Sequence, residues 1–396
     1  MPEQWLGWRL RRGRAGARCG RIAEVSRAGA RPGRAGVETG VGQGRGGAVS
    51  RVARGLQVFT SMDSITHIVL GATVGEALAG RRLGKKALLL GAIANSLPDI
   101  DAIASFWLDP AKDVWAHRGI THSFLFVLIM TPVLGMIAGG RYPRCGMTRR
   151  DWGLFFGLEL FLHLFLDAFN AYGTGWFEPF SHYRVAFHVL FVADPLYTIW
   201  LGLSFVALFL LKEGRPARKR WVRIGLIGSS LYLCYCITNK IRIDQQVKSD
   251  LKKQGISYTR YFSTPTPLNN WLWYVVAEDS GGFHTGYRSV FDHLPTHFRF
   301  LPRNDGLLRP FRMHEDVRYL LRFSQGYYTV EQWGDTLVFN DLRFGEMRGW
   351  ADPKARFVFH YFLEYPGGNG VVVQRGRMSG WNRETIRIFL RRIKGN

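Results

Sequence analysis

The sequence predicts an α-helical integral membrane domain of about five to six transmembrane helices, followed by a C-terminal soluble α+β or β-rich domain. Three observations predict it. Residues 62–240 hold long apolar runs separated by short loops, and most runs approach the ~20 residues that cross a bilayer core. The Lys and Arg residues fall mainly in alternate loops. Residues 241–396 change to short alternating segments divided by Pro and Gly. Of the 396 residues, 47% are hydrophobic and 14% aromatic, which excludes a disordered chain. Four Cys in this length exclude a disulfide scaffold.

Residues 1–61 form a separate block with 12 Arg, no Lys, 3 Glu and 13 Gly, a balance of +9 within the chain's +23. Such a segment has no periodicity to fold on and is expected to be a disordered Arg/Gly extension. It lacks the apolar stretch of a secretory signal. Met62 is the expected true start, because Met62-Asp63-Ser64-Ile65-Thr66-His67 opens a motif described below. An RNA-binding arm is the alternative for this block.

The apolar runs cover about 64–80, 87–106, 121–140, 152–170, 188–211 and 222–239. The first is short, and Gly71, Gly75 and Gly80 suit close helix packing. Basic clusters follow the first run (Arg81, Arg82, Lys85, Lys86), the third (Arg141, Arg144, Arg149, Arg150) and the fifth (Lys212, Arg215, Arg218, Lys219, Arg220, Arg223). The positive-inside rule makes these loops cytoplasmic, so much of the positive charge is a topology signal and nucleic acid is not expected as a partner. The expected topology is multi-pass, with the C-terminal domain extracytoplasmic. After the runs, Ile243, Val247 and Leu251 mark an amphipathic helix over 241–256 that continues the last one. Strands are expected at Trp271–Ala277, His284–Val290, Tyr327–Val330, Thr336–Phe339, Phe357–Phe362 and Gly370–Arg375.

Ionisable residues inside apolar runs are costly and usually functional. Here His67, Asp99, Asp101, His117, His122, His163 and Asp167 all fall at run ends that alternating topology puts at the same outer face. His163 and Asp167 are i,i+4 on one helix and face one way. Pro98 presents Asp99 and Asp101 at a bend. Singly, each has an ordinary explanation as a cap, a turn or a buried pair; seven on one face point to a metal site. Four imidazoles and three carboxylates exceed one tetrahedral shell, so they suit one ion with outer partners, or two ions. Imidazole with carboxylate fits zinc foremost, then Mn or Fe(II). Asp99 and Asp101 are candidate bridging or base residues, and Arg118 is a candidate fork for a developing phosphate charge or else an interfacial anchor. His182, His188 and Asp194 are weaker candidates, Asp194 as a ligand or a helix breaker. His284, His293, His297, His314 and Glu315 have no ligand spacing.

Met-Asp-x-x-Thr-His at 62–67, Leu-Pro-Asp-x-Asp at 97–101, His-Arg-Gly-x-Thr-His-Ser at 117–123 and His-x-x-x-Asp-Ala-Phe-Asn-x-Tyr-Gly-Thr at 163–174 together resemble the YdjM-type inner-membrane proteins. The resemblance covers about residues 62–240. It implies a membrane-bound metal-dependent hydrolase of the bacterial inner membrane, with His67, Asp99, Asp101, His117, His122, His163 and Asp167 as ligands. The Arg/Gly extension is foreign to that family, and the C-terminal domain occurs in only some members. A fainter similarity, in the order Asp, His, His-x-x-x-Asp, is to zinc-dependent phospholipase C and hints at phosphoester chemistry. The expected function is hydrolysis of ester or phosphoester bonds in lipid or envelope substrates at the outer face. The alternative is a non-enzymatic metal-binding membrane scaffold or transport component.

Overall fold

The structure is a computed structural model and describes residues 62–108, 110–334, 336–352, 354–363 and 381–396. The Arg/Gly block over 1–61 and the expected strand Gly370–Arg375 lie outside the described residues.

The first run is helix α1 (Met62–Leu83), which turns at Gly84 into α2 (Lys86–Ser96). Gly84 has φ +58°, a conformation that side chains strain to adopt. The two helices meet backbone to backbone. A Cβ on Gly91 would stand 2.1 Å from the Gly71 carbonyl oxygen, and one on Gly75 would stand 2.3 Å from that of Ala87. The small-residue spacing in the sequence therefore serves packing. Past Ser96 the chain tightens into a 3-10 helix, Leu97–Phe106, with Pro98 in its first turn. The sequence reading placed Asp99 and Asp101 at a bend; they sit instead on this continuation of α2.

A short helix α3 (Pro110–Ala116) and a 3-10 turn (Ile120–His122) lead into α4 (Phe124–Arg141), capped by Ser123. Helix α5 (Arg149–Asp167) begins with a reciprocal Thr148–Asp151 capping box. Helix α6 (Pro195–Leu210) is capped by Asp194, whose Oδ1 accepts from the amides of Leu196 and Tyr197. Helix α7 (Pro216–Lys253) has 38 residues, so the last apolar run and the amphipathic segment are one rod. At 1.5 Å per residue it is about 57 Å long, well beyond a bilayer core of about 30 Å.

Three stretches among the described residues are long and apolar enough to cross a membrane: Lys86–Ala104, Phe124–Arg141 and Pro216–Lys253. Pro195–Leu210 is a shorter apolar helix. The expected count of five to six thus stands at three by length and composition. Helix α5 falls short in apolarity because it carries Arg149, Arg150, Asp151, Glu159 and Asp167.

The three basic loops gather together. Arg82 pairs with Asp151 at 2.5 Å, and the Lys85 amide donates to Glu213 at 2.7 Å. Buried Arg218 grips Glu76 with two bonds of 2.7 Å and donates to the carbonyls of Leu208 and Leu211 that end α6.

The C-terminal region is α+β. Strands β1 (Arg260–Pro265), β2 (Leu272–Glu278), β3 (Gly282–Ser289) and β4 (Phe298–Pro302) form one antiparallel sheet in sequential order. Strands β5 (Tyr328–Trp333), β6 (Thr336–Glu346) and β7 (Phe357–Leu363) form a second. Helices α8 (Glu315–Phe323) and α9 (Arg383–Ile393) complete it. The inner face of β2 (Trp273, Val275, Ala277) packs on Ile243, Val247 and Leu251 of α7. Trp273 and Tyr274 are buried, while Trp271, Trp333 and Trp350 are half-buried.

This region is also keyed into the loop before His117. Ala111 of α3 is buried among Leu308, Phe311, Val317 and Leu320, and Lys112 pairs with Glu315 at 3.1 Å. Asn270 donates to the Val189 carbonyl at 2.8 Å. On α7, Cys234 is exposed and Cys236 buried, as their spacing requires.

Replacing Gly91 with Val should force α1 and α2 apart and cost about 1–3 kcal/mol, the usual penalty of an overpacked contact. Thermal unfolding of the detergent-purified protein checks this, and an unchanged midpoint would contradict the close approach.

Candidate metal centre

Four side chains from three chain segments converge at one end of the helices. Asp99 comes from the 3-10 continuation of α2, His122 from the turn before α4, and His163 and Asp167 from the last turns of α5. One donor atom from each lies within 4.8 Å of the others. His122 Nε2 is 3.1 Å from His163 Nε2, 3.3 Å from Asp167 Oδ2 and 3.5 Å from Asp99 Oδ1. His163 Nε2 is 3.6 Å from Asp99 Oδ1 and 3.7 Å from Asp167 Oδ2. A metal held tetrahedrally by N and O donors at 2.0–2.1 Å sets those donors about 3.3 Å apart. The observed edges bracket that value, so the group can hold a metal ion.

The hydrogen bonds around the cage aim its donors inward. His122 Nδ1 faces Thr121 Oγ1 at 3.0 Å, and that hydroxyl donates to Asp101 Oδ2 at 3.0 Å. The ring therefore donates at Nδ1 and turns the Nε2 lone pair toward the centre. Asp167 Oδ2 is buried and faces the two imidazoles, 3.3 Å from His122 Nε2 and 3.7 Å from His163 Nε2. Its other oxygen, Oδ1, meets His67 Nε2 at 3.0 Å. The Arg118 Nε lies 3.1 Å from Oδ2 and supplies positive charge beside a carboxylate that has none of its surface in solvent.

Three of the seven residues singled out in the sequence lie one contact outside this cage. His67 holds Asp167 and stacks on the His163 ring, centroids 3.9 Å apart. Asp101 organises the loop: Oδ2 accepts from the Arg118 amide at 2.7 Å as well as from Thr121, and Oδ1 meets His117 Nδ1 at 3.0 Å. His117 is half-buried, pairs with Asp101 and lies edge-on to the His122 ring, centroids 6.2 Å apart. Arg118, with φ +60°, commits Nη1 to Asn170 Oδ1 at 2.8 Å and stacks its guanidinium on Tyr172. Among the weaker candidates, His182 pairs with Glu178, and His188 stacks on Phe262. Asp194 caps α6 and accepts from the Tyr232 hydroxyl, so it serves the start of that helix and is not one of the four cage donors. His284 pairs with Asp279 in the C-terminal sheet.

Sequence reasoning missed Asn95, Glu159, Asn170 and Arg184. Arg184 donates to the carbonyls of Trp115, His117 and Arg118 and so fixes the loop that carries them. Glu159 had a signal: it lies four residues before His163 and eight before Asp167, an i,i+4,i+8 stripe on an otherwise apolar helix face.

A helical membrane domain that gathers a buried Asp/His/His/Asp cage at one end, with an α+β domain following it, defines a membrane protein with a candidate metal centre. The chain belongs to the YdjM inner membrane protein family, whose model matches residues 62–243. It is 33% identical over 122 residues to the Inner membrane protein YbcI of Escherichia coli (strain K12), which spans 30% of this chain and 69% of that one. It is 26% identical over 310 residues to the Uncharacterized protein YfhP of Bacillus subtilis (strain 168), spanning 72% of this chain and 87% of that one. No solved structure matches it.

The cage and its surround should separate experimentally. Replacing both His163 and Asp167 with Ala should abolish metal uptake by the purified protein. Asp101→Ala, which removes no cage donor, should weaken it about 10–100-fold, as loss of an outer partner does. Elemental analysis and competitive metal titration read the difference; equal losses in both variants would count against this division.

Proposed function

We propose that this protein is a membrane-bound metal-dependent hydrolase acting on ester or phosphoester bonds of lipid or envelope substrates at the outer face of the inner membrane. In this reading α1 and α5, which carry the site's polar side chains, complete a bundle of five or six spans. The gathered basic loops mark its cytoplasmic end, and the C-terminal domain is extracytoplasmic. Zinc is the proposed ion, given two imidazoles and two carboxylates.

One observation carries the enzymatic reading. The His122, His163 and Asp167 side chains have 0% exposure, but Asp99 has 21%. Three sealed donors with a fourth on the open side match a hydrolytic centre better than a closed structural one. A zinc ion bound there supplies Lewis acidity and lowers the pKa of a water ligand toward neutrality.

The chain's own groups do the rest. Asp99, at the open edge, takes the proton of the attacking water or completes the ligand set between turnovers. His67 and Arg118 hold Asp167 in place from opposite oxygens. Asp101 keeps the His122 ring turned inward. A direct Arg118 contact with a phosphate competes with its bonds to Asp167 and Asn170, so Arg118 acts through Asp167.

The same four donors support a second reading, a closed metal-stabilised scaffold, because they suffice to fill a tetrahedral shell. A transport role is disfavoured by the hydrogen bonds: among the described residues the polar chain inward from Asp167 passes His67 and Asn95 and ends at Glu159 within the helices.

Asp99→Asn separates the readings. The hydrolase reading expects the full-length variant to keep its zinc and lose turnover of a phospholipid or lipid-phosphate substrate by at least ~100-fold, the scale of a lost general base. A fully active variant, or one that loses metal and stability together, refutes that assignment.

A further inference from the structure

Glu159 is fully buried and takes no part in the cage, which begins one turn further along α5. It lies eight residues, about 12 Å along the helix, from Asp167. A leucine would pack there without the cost of hiding a carboxyl group. Among the described residues Asn95 is the sole hydrogen-bond partner of that carboxyl, and its Oε1 has none.

Asn95 is where the chain of contacts becomes directional. Its amide nitrogen is 2.8 Å from the Glu159 main-chain oxygen and 3.1 Å from Glu159 Oε2. A main-chain carbonyl only accepts, so the NH2 group must face Glu159. The Asn95 oxygen is then turned to His67 Nδ1, 3.2 Å away, and the ring donates there. That fixes which nitrogen of His67 faces Asp167 Oδ1 at 3.0 Å. The same ring is wedged against His163. Two cage donors thus depend on the rotation of one imidazole, and that rotation on one amide.

We infer that Glu159 is a positioning residue for the metal centre, acting through Asn95 and His67 on Asp167 and His163. The inference rests on the metal reading proposed above. Outer hydrogen-bond partners of metal sites set ligand orientation, and their loss costs 10–100-fold in affinity. Glu159 places this effect two contacts further out, inside the helices: without its carboxyl the Asn95 amide loses its second acceptor and keeps only the Glu159 main-chain oxygen.

The test uses the full-length detergent-purified protein titrated with zinc against a chelator, and with Co(II) read by its visible absorption. Glu159→Leu should bind zinc about 10-fold or more weakly and shift the cobalt spectrum, while the metal-free protein unfolds at the wild-type temperature. Glu159→Gln keeps an acceptor oxygen and should restore both. Asn95→Ala, which removes the link to His67 outright, should weaken binding at least as much as Glu159→Leu, and the double variant should be no worse than Asn95→Ala alone, as residues of one chain of contacts behave. Asn95→Ala carries the test if Glu159→Leu is not recovered. Wild-type affinity and spectrum in Glu159→Leu, or in Asn95→Ala, overturn the inference while leaving the centre standing. A wild-type protein that takes up neither metal overturns the metal reading and this inference with it.

Discussion

Asp167 is the side chain on which the rest of the centre depends. A carboxylate with no solvent contact is expensive unless each oxygen is answered. One oxygen meets His67, and the other faces two imidazoles with Arg118 beside it. Those four neighbours come from α1, the loop before α4, the turn that starts α4 and α5 itself. To satisfy one group, the chain must bring three distant stretches to one point. Much of the remaining architecture follows from that demand.

The helices meet the demand by coming unusually close. Glycine on both faces of the α1–α2 contact lets the backbones touch, which brings His67 and Asn95 within bonding distance. The loop between the Asp99 and His122 segments has no helix long enough to hold it. It is held from outside instead, by Arg184 on its carbonyls and by the hydrophobic cluster around Ala111. At the opposite end the Glu76–Arg218 pair and the Lys85–Glu213 contact tie the same helices together. The bundle is thus fastened at both ends by polar contacts, with apolar packing between.

Much of this is legible in the sequence, for a physical reason. Asp99, His122, His163 and Asp167 stand out because ionisable groups in apolar runs are costly, and their shared end follows from alternation alone. The division between cage and surround is not legible. His67 and His163 are the same residue type in similar settings, and only the hydrogen bonds at each ring decide which nitrogen faces what. Asn95 was overlooked because an amide carries no charge to mark it, although it sits beside the Leu-Pro-Asp motif. Strand β1 is masked by Ser263, Thr264 and an edge-position Pro265, and β4 by its alternating Arg residues. Helix α3 is too short for periodicity to register.

The burial of Ala111 has a consequence for biosynthesis. The cluster it joins includes Tyr328, Phe339, Tyr361 and Leu363, all encoded far downstream. A ribosome delivers the helices first, and domains form in the order they emerge. The loop that joins Asp99 to His122 therefore has Arg184 early but stays without its second, apolar anchor until most of the polypeptide has been made. Assembly of the cage then becomes a late event, coupled to completion of the chain, and a prematurely terminated product is left with an unfinished cage.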